Sequence, residues 1–257
     1  PMNAVIYAAG RATRLGRAHA QRPKILLEFG GRSLLEWHAL RLAAVGVDRI
    51  FVVTGHAHEQ IGDVLPAIEE RHGVTLVELF NPDFCEGSVL SMNVSVPVLA
   101  GRREPVLVMD GDVLYDGRML PRLLESPERT ALLVDCSYLA QDDDPVLAPL
   151  RGGRPFELLK GWTGEAEAVG ESVGFFKVDP ADLPLLVSET RLRAEGGGRR
   201  ESLDEVLRAM VVAGRFGAVD ISGLPWTEID FPHDLEYAVG TVLPQCLGAV
   251  PGSGPRG

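Results

Sequence analysis

An α/β fold, with a mixed but mainly parallel sheet covered by helices on both faces, is the architecture the sequence predicts. Three observations carry that expectation. Short apolar, β-branched runs alternate with longer segments of helical period through the first half of the chain. A glycine-containing turn follows the first such run directly, and an Asp-Gly-Asp closes another, both being positions where ligands gather in open parallel sheets. Finally, 46% hydrophobic residues over 257 positions suffice to bury a sheet on both sides.

The elements follow in order. Val5–Ala8, Ile50–Thr54, Thr75–Leu79 and Val106–Asp110 read as buried strands. Between them, Ser33–Val45 carries Leu34, Leu35, Trp37, His38, Leu42 and Val45 in a helical stripe, and Glu59–Arg71 carries Ile61, Val64, Leu65 and Ile68. After Asp112 the rhythm changes. Thr130–Ser137, Val146–Leu150, Phe156–Leu159 and Ser172–Val178 predict further strands, some antiparallel, joined by Gly- and Asp-rich turns. Helical patterns return at Ala181–Arg193, Ser202–Val212 and His233–Leu243. No internal repeat or linker divides the chain, so a single domain over residues 1–247 is expected, with a disordered tail over 248–257.

Composition excludes several function classes. With 36 acidic and 25 basic residues the net charge is −11, and the only lysines are Lys24, Lys160 and Lys177. Nucleic acid and anionic membrane are therefore excluded as partners, since both need clustered positive charge. No apolar run reaches the length of a membrane span, and no basic-then-apolar leader opens the sequence. Cys85, Cys136 and Cys246 lie far apart without metal-ligand spacing, so a reduced, cytoplasmic protein without structural zinc is expected.

The chemistry begins where the first strand ends. Ala8-Ala-Gly-Arg-Ala-Thr-Arg-Leu-Gly16 lets backbone N–H groups approach phosphate oxygens, and Arg14 adds a forked donor. Arg22-Pro-Lys24 follows eight residues later, with Lys24 supplying a point charge to the same polyphosphate. The glycine turn alone matches no standard phosphate loop; strand, GxxxRxG and PK together are far more specific. Asp110 and Asp112, in Val106-Leu-Val-Met-Asp-Gly-Asp-Val113, are hard-oxygen donors of the kind magnesium takes.

These motifs resemble a family of nucleotidyltransferases, Rossmann-like enzymes of the nucleotide-diphospho-sugar transferase type. Members join a nucleoside triphosphate to a phosphorylated small molecule and release pyrophosphate. Their signature A-A-G-x-G-x-R-[LM] followed by P-K is matched by Ala8, Ala9, Gly10, Arg14, Leu15, Pro23 and Lys24, with Ala12 in place of the second glycine. The resemblance implies that Asp112 binds the metal, and that Trp226-Thr-Glu-Ile-Asp230 is the second metal strand, with Asp230 as the second ligand and Glu228 beside it toward the acceptor. Asp234 reads as a first-turn helix residue. Asn81-Pro-Asp-Phe-Cys-Glu-Gly-Ser88 resembles the cytidylyltransferase branch, in which such a loop lines the base. Ala8, Ala9, Gly10, Gly55, Asn81, Ser88 and Asp110 are thus expected around the nucleotide, Ser88 doubling as a helix-cap candidate and Asp110 as a strand-end cap; Cys85 reads as a small packing residue. Val169-Gly-Glu-Ser-Val-Gly174 resembles the acceptor strand, implying Glu171 and Ser172 there, with Lys160 as an anion ligand for the acceptor or a solvated strand-end lysine.

The expected activity is a CTP-dependent cytidylyltransferase with Mg2+ as cofactor, Arg14 and Lys24 as catalytic residues, and a small phosphonate or phosphocholine-like acceptor. A high Arg-over-Lys ratio, typical of GC-rich coding, leans toward phosphonates, including simple ones such as phosphonoformate. Trp162 and Asp142–Asp144 are candidates for a cationic acceptor tail, against the commoner readings of hairpin packing and a polar turn. Asp-Gly-Asp is also shared with metal-dependent GT-A-type glycosyltransferases and, in outline, with haloacid-dehalogenase phosphatases. The last leave the Arg14 and Lys24 loop unexplained. The motifs also fit a sugar-1-phosphate nucleotidyltransferase or a catalytically silent regulatory module, although a silent copy is expected to lose Lys24 or a metal carboxylate. The apolar helix over Ala238–Leu247 leaves a homodimer open.

Overall fold

The first strand, β1 (Met2–Tyr7), is apolar at every position from Ala4 to Tyr7 and is buried on both sides. Strand geometry sends alternate side chains to opposite faces. Ala4 and Ile6 join one core cluster, and Val5 and Tyr7 the other. The computed structural model describes residues 2–16, 21–137 and 144–248. The expected tail therefore lies outside the described residues, apart from Gly248.

The chain then lays down α1 (Leu34–Ala44), β2 (Val47–Thr54), α2 (His58–His72), β3 (Thr75–Phe80), α3 (Ser88–Leu99), β4 (Val106–Asp110), β5 (Val113–Tyr115) and α4 (Met119–Glu125). After these come β6 (Ala131–Asp135), β7 (Val146–Arg151), β8 (Ala168–Val178), α5 (Leu183–Glu195), α6 (Asp204–Val212), β9 (Gly217–Asp220) and β10 (Trp226–Glu228). A C-terminal helix closes the order, formed by α7 (Pro232–Tyr237), a π-helical turn over Ala238–Val242, and α8 (Leu243–Gly248). Local signals explain several boundaries. Ser33 caps α1 by accepting from Glu36 N at 3.2 Å. Gly73, at φ +67°, ends α2 in the left-handed conformation that a side chain disfavours.

β4, β1, β2 and β3 lie side by side in that order and run parallel. The chain proceeds from β1 to β2 and β3 on one side, then returns to place β4 on the other. That creates a topological switch point at the carboxyl ends of β1 and β4. Beyond β4 the sheet turns antiparallel through the long strand β8, which pairs with β4, β6 and β7, while β9 pairs parallel with β6. One face is covered by α1, with Leu34, Leu35, Trp37 and Leu42, and by α2 through Ile61 and Leu65; the other is covered by α3, α5 and α6 through Val89, Val96, Leu186, Val206 and Met210. The mixed, helix-flanked sheet is the expected fold.

One expected strand is corrected. Phe156–Leu159 does not pair as a unit; two-residue ladders at Arg154–Pro155 and Leu159–Lys160, both against β7, flank a stretch outside either ladder, tied to β7 by Phe156 N to Pro149 O at 3.1 Å. Phe156 instead takes the Arg151 guanidinium on its ring face, 4.7 Å from the centroid, and the edge of Trp162.

Candidate active site

Register brings three loops to one edge of the sheet. Tyr7 pairs with Asp110 on one side and Val53 on the other, so the segments starting at Ala8, Thr54 and Gly111 leave together. Their backbones interlock through Gly111 N to Tyr7 O at 3.0 Å and His56 N to Ala9 O at 3.2 Å. Glycine is required at two of these crossings. A Cβ on Gly111 would lie 2.8 Å from Tyr7 O, and one on Gly55 2.8 Å from Ala9 O and 2.5 Å from the Phe84 side chain.

A short antiparallel ladder completes the site. β5 and β10 pair Val113 with Glu228 and Tyr115 with Trp226, and Ile229 N bonds Asp112 O at 2.9 Å. Asp112 and Asp230, 118 positions apart in the numbering, thereby converge. Lys24, on a 3₁₀ turn held by Pro23, extends its ammonium between them: Nζ is 3.0 Å from Asp112 Oδ2 and also donates to Asp230 Oδ1. Arg14, from the turn Thr13–Leu15, meets Asp230 Oδ2 at 2.9 Å and lies over the Phe231 ring at 5.2 Å. Asp234 is the expected first-turn residue and does more: its Oδ2 accepts from Asp230 N (2.8 Å) and Phe231 N (2.6 Å), fixing the Asp230 backbone.

The electrostatics follow from crowding. Burial opposes the Lys24 charge, but Asp112 and Asp230 outweigh it and hold the ammonium above its ordinary range. Asp110 is pushed well above the carboxylate range by burial and by Asp112. Glu228, exposed at one side, is pushed the same way by lost hydration in the cleft and by repulsion from Asp112 and Asp230. Carboxylate oxygens of Asp112, Glu228 and Asp230 all lie within 4.8 Å of one another. An all-oxygen set of this kind fits a hard divalent cation such as magnesium. Glu228, expected toward the acceptor, lies within reach of both the Asp112 and Asp230 carboxylates.

The other expected residues lie around this centre. Asn81 is buried and its amide is engaged, donating to Ser91 Oγ at 3.0 Å and accepting from Asp83 N at 2.9 Å. Ser88 opens α3, but its hydroxyl accepts from Leu203 N at 2.9 Å, and Gly87 N and Val89 N bond the carbonyls of Arg199 and Glu201. The helix start is thus tied to the α5–α6 loop, an arrangement clamped by Arg199 on Asp83 and Glu86. Cys85 is exposed rather than packed, and holds Arg11. Lys160 meets Asp144 at 2.6 Å, within the field of Glu228 and Asp204. Asp142 and Asp143 lie outside the described residues. Glu171 is buried on β8 in register with Asp135 and Leu147, and Ser172 accepts from Gly174 N. Trp162 packs on Phe156 and Gly164. Lys177 is structural: buried, it donates to Leu124 O and Ser126 O at the end of α4.

Three residues take roles that emerge only in three dimensions. Gly174, at φ +77°, leaves room for Asp110, whose Oδ2 would clash with a Cβ there. Asp204, at the start of α6, faces the same cleft; burial raises its carboxyl, and its charge is felt by Asp110 and Lys160. His38 donates Nε2–H to Gly111 O at 3.2 Å from the middle of α1.

The chain and its fold resemble known proteins. A profile of the MobA-like NTP transferase domain matches residues 4–174. A CMP-5'-(3-aminopropyl)phosphonate synthase from Streptomyces rubellomurinus is 28% identical over 93% of this chain, which spans only 38% of that protein. A CTP:phosphoglutamine cytidylyltransferase from Campylobacter jejuni is 22% identical, with 93% of this chain and 99% of that protein aligned. The inositol-1-phosphate CTP transferase structure from T. maritima superposes with a TM-score of 0.76 at 21% identity, covering 96% of this chain and 97% of the other. Among the described residues, no helix is long and apolar enough to cross a membrane.

Proposed function

The chain belongs to the MobA-like NTP transferase domain family, and on that premise we propose that it is a CTP-dependent cytidylyltransferase acting on a small phosphonate or phosphate-ester acceptor. One observation carries the reading. Lys24 and Arg14, the two cations of the sequence motifs, converge on Asp112 and Asp230 at the switch point. An acceptor oxygen attacks the α-phosphorus of CTP in line, the bond to the β-phosphate bridging oxygen breaks, and pyrophosphate leaves. The acceptor is ionised at neutral pH, so no general base is needed. Catalysis is alignment and charge neutralisation.

Each residue then has a task. The Gly10 loop and Arg14 hold the β- and γ-phosphates. Lys24 neutralises charge at the α-phosphate on the acceptor side. Asp112 and Asp230, with Glu228 beside them, hold Mg2+, which when bound supplies charge stabilisation to the triphosphate. Ala8 and Ala9, bonded to Val53 and His56 on either side of Gly55, form with it the flat wall for ribose and base, and the Asn81–Ser88 loop closes it.

The acceptor side favours a cationic substituent. Asp144 and Asp204 both act on Lys160 and outnumber it. An amine-bearing phosphonate satisfies that surplus; phosphonoformate, with its extra carboxylate, does not. Within the phosphonates that composition leans toward, this favours an amine-bearing one over phosphonoformate. The test is pyrophosphate release with each of four nucleoside triphosphates against 2-aminoethylphosphonate, phosphocholine, phosphonoformate and glucose 1-phosphate. CTP with 2-aminoethylphosphonate or phosphocholine is expected to turn over fastest. Turnover confined to UTP or dTTP with glucose 1-phosphate contradicts the proposal.

A further inference from the structure

His38 lies in the middle of α1, fully buried, with its ring 5.4 Å from that of Tyr115 and 6.1 Å from that of Phe175. Nothing in its sequence pattern separates it from the apolar stripe around it. Its one hydrogen bond among the described residues goes from Nε2–H to the carbonyl of Gly111, while Nδ1 meets no partner. That carbonyl belongs to the peptide joining Gly111 to Asp112, between the two carboxylates of the strand end. Glycine leaves the orientation of that peptide weakly restricted, yet glycine is required there by the close approach of Tyr7 O. The peptides on either side are held by Gly111 N to Tyr7 O and by Ile229 N to Asp112 O, while the Gly111–Asp112 peptide itself takes the His38 ring on its carbonyl. A leucine at position 38 fills the same apolar space without a donor. Burying an imidazole has a desolvation cost, which the Gly111 bond alone offsets.

We infer that His38 is a positioning residue, whose Nε2–H fixes the Gly111 carbonyl and thereby sets the Asp112 carboxylate for cation binding. It acts one peptide away from the ligand, as partners behind a metal site do. The inference rests on the reading that Asp112 and Asp230 hold a divalent cation. It is independent of which nucleotide and acceptor react.

The experiment is an electron paramagnetic resonance titration of Mn2+ into the substrate-free protein, beside thermal melts that verify folding. The wild type is expected to bind Mn2+ at a site that Asp230→Asn loses. His38→Leu should weaken that site by about tenfold or more, the range for losing a partner behind a metal ligand. His38→Gln, whose amide reaches the same carbonyl, should restore affinity to within about threefold of wild type. A merely structural histidine would lower stability in both variants without this split. His38→Leu binding Mn2+ like the wild type, or His38→Gln binding as weakly as His38→Leu, overturns the inference. Absence of Mn2+ binding in the wild type instead overturns the cation-site reading beneath it. A measurement on the wild type covers a variant that fails to fold. A spectrum of 15N-histidine-labelled protein should show His38 as the Nε2–H tautomer, with a resonance that shifts on Mg2+ addition. The Nδ1–H tautomer, or a resonance indifferent to Mg2+, overturns the inference equally.

Discussion

Lys24 occupies the space between two carboxylates, and the chemistry proposed for it depends on those partners. Its ammonium is charged at any working pH because Asp112 and Asp230 outweigh the burial that opposes it. Lys24→Ala and Asp230→Asn are each expected to lower kcat/KM for pyrophosphate release by about 10²–10³-fold or more, the scale of losing one charge-stabilising group. The melting temperature of Asp230→Asn should move by no more than about 4 °C, since Lys24 keeps Asp112 as a partner and the repulsion on Glu228 is relieved. Full activity in either variant contradicts their assignment. His38 gives a pH dependence of different origin. Burial pulls its folded-state value down to about 3, while the unfolded chain protonates near 6.5. Between those values the unfolded state binds the extra proton, so stability falls as pH drops from about 6.5 toward 3. From pH 6.5 to 4.5 the wild type should lose about 2–3 kcal/mol more than His38→Gln, read from denaturant midpoints. Equal losses contradict a buried neutral histidine.

At the scale of elements, the long strand β8 has one position that tolerates no side chain. Gly174→Ala combines a φ of +77° with a Cβ that meets Asp110. It is expected to cost about 1–3 kcal/mol in urea unfolding; an unchanged midpoint would mean that Asp110 does not need that space. Elements with strong period were legible in the sequence: β1, β2, β3, β4, α1, α2 and the paired acids at the end of β4. The helix near residue 88 was legible as a loop-to-helix motif, but its docking was not. The bonds from Gly87 and Val89 to Arg199 and Glu201 join residues 112 positions apart, and no local pattern records such contacts. For the same reason the β5–β10 ladder, built from three-residue strands, was visible only through family resemblance. Phe156–Leu159 shows the opposite error: an apolar run that looks like a strand packs as aromatic loop cover, because β7 is paired on either side of it. His38 was hidden because a histidine within a buried helical stripe reads as core, and its role depends on a carbonyl 73 residues away.

Across the whole molecule, charge and topology bear on the same site. A chain of net charge −11 with three lysines is a poor surface for a polyanion, yet local cations can serve a small one. One lysine sits at the switch point, one at the cleft margin and one seals the end of α4. The fold brings β1, β4 and the β5–β10 ladder to one edge, so that residues from three separated segments assemble a single centre. Chelation with EDTA is expected to stop turnover without unfolding the chain, because apolar clusters on both sheet faces sustain the fold; loss of the far-ultraviolet circular dichroism signal on chelation would contradict this. The central claim is tested most directly by 31P NMR of the protein with Mg2+, CTP and 2-aminoethylphosphonate. Pyrophosphate and a phosphonate–phosphate anhydride should grow together in equal amounts. Release of CDP in place of pyrophosphate, or no reaction with CTP while UTP or dTTP is consumed, would contradict it.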